Sequence, residues 1–273
     1  SSKNFKVADA SIVMDNKVAV LTANYLLAAG NLYIVTYKIY PSGVVKVDAR
    51  FTSADMQVAE SEVSEATRTA TFTPGNDAAR KAAAKLNVPR IGVRFRLPAE
   101  MNVVEYFGRG PEENYIDRNA GTLIGLYKTT ADKMYYNYVR PQENGHHTDT
   151  RWLSLSKKGG KRLTIVADSI IGFNALRNSI EEFDSEEALP HPRQWNNFSP
   201  EEIANHDEEA ARNVLRRMHH VNDITPRDFV EVCVDMKQQG VAGYNSWGAR
   251  PEPGYTIPAN QEYNWGFTLI PDK

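Results

Sequence analysis

Apolar positions in this chain recur chiefly at every second residue, in short runs broken by glycine, asparagine and proline. That period lines one face of a strand, whereas an amphipathic helix repeats at three and four. Residues 11–13, 18–25, 32–40 and 44–51 are rich in Val, Ile, Tyr and Thr and read as the strands of a meander. Pro41, Ser42 and Gly43 make a tight hairpin turn between two alternating runs, with Tyr37, Ile39, Val45 and Val47 on faces set by the period of two. Further strands are predicted over residues 91–97, 103–107, 163–168, 229–237 and 263–270.

Two segments depart from this period. Ala, Glu and Thr dominate residues 53–85, which read as a surface insertion with a short helix capped by Asp77. Ser199, Pro200, Glu201 and Glu202 form a capping box with proline at the first helical position. The stripe that follows, Ile203, Ala210, Val214, Leu215 and Met218, predicts one short capped helix packed on a sheet. Its outer face, with Glu208, Glu209, Arg212 and Arg216, reads as solvated surface.

Composition narrows the class. At 273 residues the chain is long for one domain but ordinary for a single all-β unit, so residues 1–273 are read as one domain. Hydrophobic residues at 41% and charged residues at 24% exclude a disordered or fibrous chain. A formal net charge of -2, with Lys and Arg scattered, leaves no electrostatic footprint for a nucleic acid or an anionic membrane. Cys233 is the only cysteine, which rules out an internal disulfide and leaves the compartment open. No run is apolar enough to span a bilayer, and the chain opens on Ser1, Ser2, Lys3 and Asn4 without an initiator Met. The expectation is a fragment of a longer soluble protein, cytoplasmic or periplasmic.

Candidate chemistry concentrates in three places. Residues 107–118 end a strand and then interleave turn residues with charges; Gly108 and Gly110 are expected to supply positive φ, and Pro111 to fix the exit. Glu112, Glu113 and Asp117 could offer the two carboxylates that glycoside hydrolysis needs. The competing reading, which we favour, is a structural ion-pair network in which Arg109 and Arg118 neutralise them, since a paired carboxylate stays ionised and makes a poor general acid.

Residues 134–152 bring Tyr135, Tyr136 and Tyr138 together with Pro141, Gln142, Glu143, Asn144, Gly145, His146, His147, Asp149 and Arg151. Tyrosine rings can cover the C–H face of a pyranose while amides and carboxylates bond its hydroxyls; the alternative is a buried polar network. Adjacent histidines on a strand point to opposite faces, so neither His146 with His147 nor His219 with His220 is expected to share a metal. In the third place, Gly240, Val241, Ala242, Gly243, Tyr244, Asn245, Ser246, Trp247 and Gly248, the indole either plugs the core or offers its ring to a ligand.

Taken together, these stretches resemble the C-terminal domain of family 2 glycoside hydrolases of the β-galactosidase type. The family's G-x-G-P-x-E-N-Y-x-D-R element is matched by Gly108, Gly110, Pro111, Glu113, Asn114, Tyr115, Asp117 and Arg118. Its P-x-E-N-G run is matched by Pro141, Glu143, Asn144 and Gly145, followed by Arg151, and its G-G-x-x-S-W element by Ala242, Gly243, Tyr244, Asn245, Ser246 and Trp247. The insertion at residues 53–85 falls outside the resemblance. So does the acidic residue usual in the tryptophan element, which Tyr244 or Asn245 replaces, and the family's early tryptophan and Asp-Asn-Asp cluster have no counterpart.

The resemblance implies a mainly β, galactose-mutarotase-like antiparallel supersandwich. It implies that the whole enzyme hydrolyses terminal β-D-galactosides with retention, using two glutamates in a separate (β/α)₈ barrel that could also hold a divalent metal. Partners would then be the galactoside and the missing N-terminal domains and barrel of the same chain. No catalytic residue, cofactor or metal is assigned to this fragment. Trp247 inherits contact with the sugar, with Asn245 and Ser246 beside it. The other readings are a free-standing carbohydrate-binding module and a mutarotase-like aldose isomerase with Glu143, His146 and His147 as acid and base.

Overall fold

The computed structural model describes residues 6–27, 31–52, 87–139, 142–183, 221, 224–245 and 248–272. The insertion at residues 53–85 with its Asp77 cap, the helix predicted after Ser199, Pro141, the His219 and His220 pair, Ser246 and Trp247 lie outside them.

Eleven strands make the described fold, with one short α-helix and two single-turn 3₁₀ helices. They are β1 (Lys6–Asp15), β2 (Val18–Leu26), β3 (Leu32–Ile39), β4 (Val45–Thr52), β5 (Arg90–Pro98) and β6 (Val103–Gly110), followed by β7 (Leu123–Thr130), β8 (His147–Ser156), β9 (Arg162–Leu176), β10 (Phe229–Gln238) and β11 (Tyr263–Pro271). The helix α1 (Ala131–Met134) follows β7, and the Thr130 hydroxyl accepts its Lys133 N–H at 3.3 Å. All pairings are antiparallel, and the main path runs β1-β2-β3-β4-β11-β9-β8-β6-β7. The predicted meander is present, and Tyr40 N–H donates to Val44 O at 2.9 Å across the turn at Pro41 to Gly43. Gly43 takes φ +85°, a region costly for any side chain.

The hydrogen bonding of the described strands is continuous, because β9 changes partners along its length. One edge of β9 pairs with β8, and the other pairs with β11 through Ala167 and then with β10 from Gly172 onward. β10 continues the branch to β5. The result is a mainly β sandwich. Val230, Val232 and Val234 of β10 pack in one core with Val35 and Val47 of the meander and with Tyr106, Leu153, Ile165, Phe173 and Phe267. Burying each such large apolar side chain contributes about 1.5–3 kcal/mol.

Strand β10 is buried on both faces. Its reverse face carries Glu231, Cys233 and Asp235, all below 5% exposed. Glu231 is neutralised there by Arg94 at 3.3 Å and Arg96 at 2.9 Å.

Candidate functional site

β6 ends in the first motif. Gly108 and Gly110 do not adopt the left-handed backbone expected of them; both remain in the strand, facing Gly125 and Leu123 of β7. Space decides the residue type instead. A Cβ on Gly108 would stand 2.4 Å from Thr150 Oγ1, and one on Gly110 would stand 2.2 Å from the Tyr106 hydroxyl. Pro111 follows through a cis bond.

Beyond Pro111 each side chain of the motif has a fixed post. Asn114 is fully buried and uses its whole amide: Nδ2 donates to Arg109 O at 3.2 Å and Glu112 O at 3.0 Å, while Oδ1 accepts from Thr148 N at 2.9 Å and Thr148 Oγ1 at 2.6 Å. Glu113 accepts from the Tyr115 hydroxyl at 3.3 Å, from Gly145 N at 2.7 Å and from the Tyr138 hydroxyl. The expected ion-pair network is only partly realised. Arg118 lies 4.0 Å from Glu113 and 5.1 Å over the Tyr115 ring, but Arg109 turns away to Asp149 and to the carbonyls of Asn119 at 3.2 Å and Thr122 at 2.8 Å.

Asp117 spans to the third motif. Its carboxylate accepts Val241 N–H at 3.2 Å and Ala242 N–H at 2.7 Å. Gly240 permits the approach, because a Cβ there would meet Asp117 at 2.5 Å. The chain then turns with positive φ at Ala242 (52°) and Gly243 (80°). Asn245 Oδ1 accepts Ala249 N–H at 3.3 Å, bracketing Ser246 and Trp247. Both Glu113 and Asp117 therefore serve as structural acceptors, which argues against their work as a hydrolytic pair.

The second constellation divides between a polar network and a strand. Asn144 closes a pair of bonds with the backbone of Tyr136, at 2.7 and 2.6 Å. Arg151 lies 5.5 Å over the Phe107 ring and donates to Asp149 O. His147 opens β8 and packs on Tyr106 and Phe173, whereas His146 faces the other way, stacked on Tyr115. The two rings thus point in opposite directions, as those of adjacent residues entering a strand do. Each ring is 2% exposed, so the isomerase reading loses an accessible acid–base pair. Among the described residues no His, Cys, Asp and Glu side chains converge as a metal-holding group.

His146 belongs to a buried cluster that the sequence reading missed. Its Nδ1 lies 2.9 Å from Asn174 Oδ1 and 3.8 Å from Asp235, and Arg90 ion-pairs with Asp235 at 2.9 Å and reaches Glu143 at 3.7 Å. The available signal was a carboxylate at every fourth position of an otherwise apolar run, Glu231 and Asp235 among valines, because a buried charge demands a partner.

Burial holds both histidines neutral, His146 down to about 3 with help from the Arg90 charge, and His147 to about 4. Burial raises Asp235 to about 6 against the pull of Arg90. Unfolded, the histidines titrate near 6.5, so the unfolded chain binds their protons more tightly and the fold loses stability as pH falls from about 6.5 toward 4. Asp235 opposes this, since its folded form takes up a proton first and adds stability as pH falls through about 6. Two histidines outweigh one carboxyl, and a net loss on the order of 3 kcal/mol is expected between pH 7 and 4. Urea unfolding midpoints at the two pH values measure it, and His147→Phe should flatten the profile. Equal midpoints would contradict the assignment.

The described strands and the motifs they carry define a mainly β domain. The chain belongs to the beta galactosidase small chain family, whose model matches residues 1–269. It is 32% identical to a beta-galactosidase of Priestia megaterium over 184 residues, which is 67% of this chain and 15% of that protein. A beta-galactosidase of Arthrobacter sp. strain B7 is 38% identical over 123 residues, 43% of this chain and 12% of its own length. One of Actinobacillus pleuropneumoniae is 29% identical over 186 residues, covering 68% and 15%. The chain thus spans about a seventh of the curated relatives it matches.

Proposed function

We propose that residues 1–273 are the C-terminal domain of a retaining β-galactosidase and complete its pocket for terminal β-D-galactosides without catalytic carboxylates of their own. Trp247 lays its ring on the sugar, with Asn245 and Ser246 beside it. The two glutamates of the reaction, and any divalent metal, belong to a (β/α)₈ barrel elsewhere in the same polypeptide. The observation that carries this reading is the Asp117 carboxylate on Val241 N–H and Ala242 N–H, which fastens the approach to Trp247 onto the first motif. A stacking residue contributes only if it is held before the ligand arrives.

Asp117→Asn in the full-length enzyme turns one acceptor into a donor facing a backbone N–H. The loss of a charge-assisted bond is worth about 1.5–3 kcal/mol, so KM and inhibition constants for galactosides should rise tenfold or more with a smaller change in kcat. Asp117→Glu should restore part of the loss. Unchanged constants, or turnover of an aryl galactoside by the 273-residue chain alone, would overturn the proposal.

A further inference from the structure

Strand β9 leaves one neighbour before it gains the next. Its pairing with β11 ends at Ala167 and its pairing with β10 begins at Gly172, so residues 168–171 have neither strand on that side. β11 is likewise paired with β4 over Tyr263 to Gly266 before β9 joins it at Phe267. On its other edge β9 bulges, with Arg151 alone standing opposite Ala167, Asp168, Ser169 and Ile170. The fork opens a cavity of about 690 Å³, within the usual range for small-molecule sites.

Its walls mix two kinds of group. Ile34, Ile170, Met236 and the Trp265 ring give apolar surface, and Thr36, Asp48, Arg50, Asp168 and Asn264 give donors and acceptors. The charges cancel: Lys38 and Lys46 bond Asp48 at 3.3 and 3.2 Å, Lys46 also bonds Asp168, and Arg50 bonds Glu262 at 2.7 Å. Three cations therefore face three carboxylates. Asp48, Asp168 and Arg50 are still 43%, 47% and 52% exposed, so each keeps hydrogen-bonding capacity for a ligand. A charge-balanced lining gives no site for an anion or a cation. Paired donors and acceptors beside an aromatic and apolar surface suit a neutral polyol with a C–H face.

We propose that this fork cavity binds a neutral saccharide of one or two sugar rings, a site additional to the pocket that Trp247 completes; this rests on the reading that the protein handles galactosides. Because the site sits where the sheet divides, its lining comes from five strands, β3, β4, β9, β10 and β11.

The test titrates the full-length enzyme with isopropyl 1-thio-β-galactoside, whose weakly basic sulfur resists cleavage. Two sites per chain are expected. The double variant Asp168→Ala with Asn264→Ala should weaken one of them at least tenfold. Ile170→Trp, which fills the cavity while keeping its polar groups, should weaken the same one. Trp247→Ala should weaken only the other. A single site, lost with Trp247→Ala and intact in both cavity variants, overturns this inference and leaves the pocket reading standing. A site lost in the cavity variants, with no site sensitive to Trp247→Ala, supports the inference and overturns the pocket reading. Absence of any binding overturns both.

Discussion

Asn114→Ala is expected to lower the free energy of unfolding by about 4 kcal/mol or more, since each buried polar group left without its partner costs about 1–3 kcal/mol. The substitution removes the Asn114 partner of Arg109 O, Glu112 O and Thr148 N, leaves the Thr148 hydroxyl only its bond from Asn119 Nδ2 at 3.4 Å, and leaves a cavity at one fully buried position. Asn114→Asp separates the two halves of the effect. It keeps both bonds from Thr148, loses both donors, and sets a buried charge against two carbonyl oxygens. It should therefore be no milder than alanine. Urea unfolding followed by tryptophan fluorescence and by circular dichroism reads the difference, and a loss under about 1 kcal/mol for both variants would show that the amide is not the brace described.

The second large effect concerns the sugar itself. Trp247→Ala in the full-length enzyme should raise KM and competitive inhibition constants for galactosides by about tenfold or more. Aromatic stacking adds about 0.5–1.5 kcal/mol beyond the area it covers, and burying the apolar surface of the ring adds to that. Trp247→Phe should recover part of the loss, because a smaller ring still offers a face. Steady-state kinetics with an aryl galactoside and with a thiogalactoside inhibitor measures both variants. Unchanged constants would remove Trp247 from the pocket.

Much of the scaffold was legible in the sequence, and the exceptions share a cause. β2, β3, β4, β5, β10 and β11 fall within a residue or so of their predicted spans, because one face of each alternates or both are apolar. β7 and β8 were not predicted. β8 buries His147, Thr148 and Thr150, polar side chains that look like loop until their partners on other strands are known. The same blindness affected Gly108 and Gly110, where the constraint is a neighbour across space and not a local turn. At the candidate site the motifs were found, but their wiring was not. Arg109 meets Asp149 and Asp117 meets Val241, pairs separated by 40 and 124 residues. The fork cavity had no signature at all, because it is made by where β9 changes partners.

β11 sits between β4 and β9 although it is the last described strand of the chain. A ribosome therefore releases the β1 to β4 meander and the β6 to β9 block long before the piece that joins them. Until β11 arrives, two strand edges stand open at once, each a template for a foreign strand. Such distant pairing closes slowly, so the nascent domain is most exposed to aggregation late in its synthesis. Assembly of the sheet waits on its final strand.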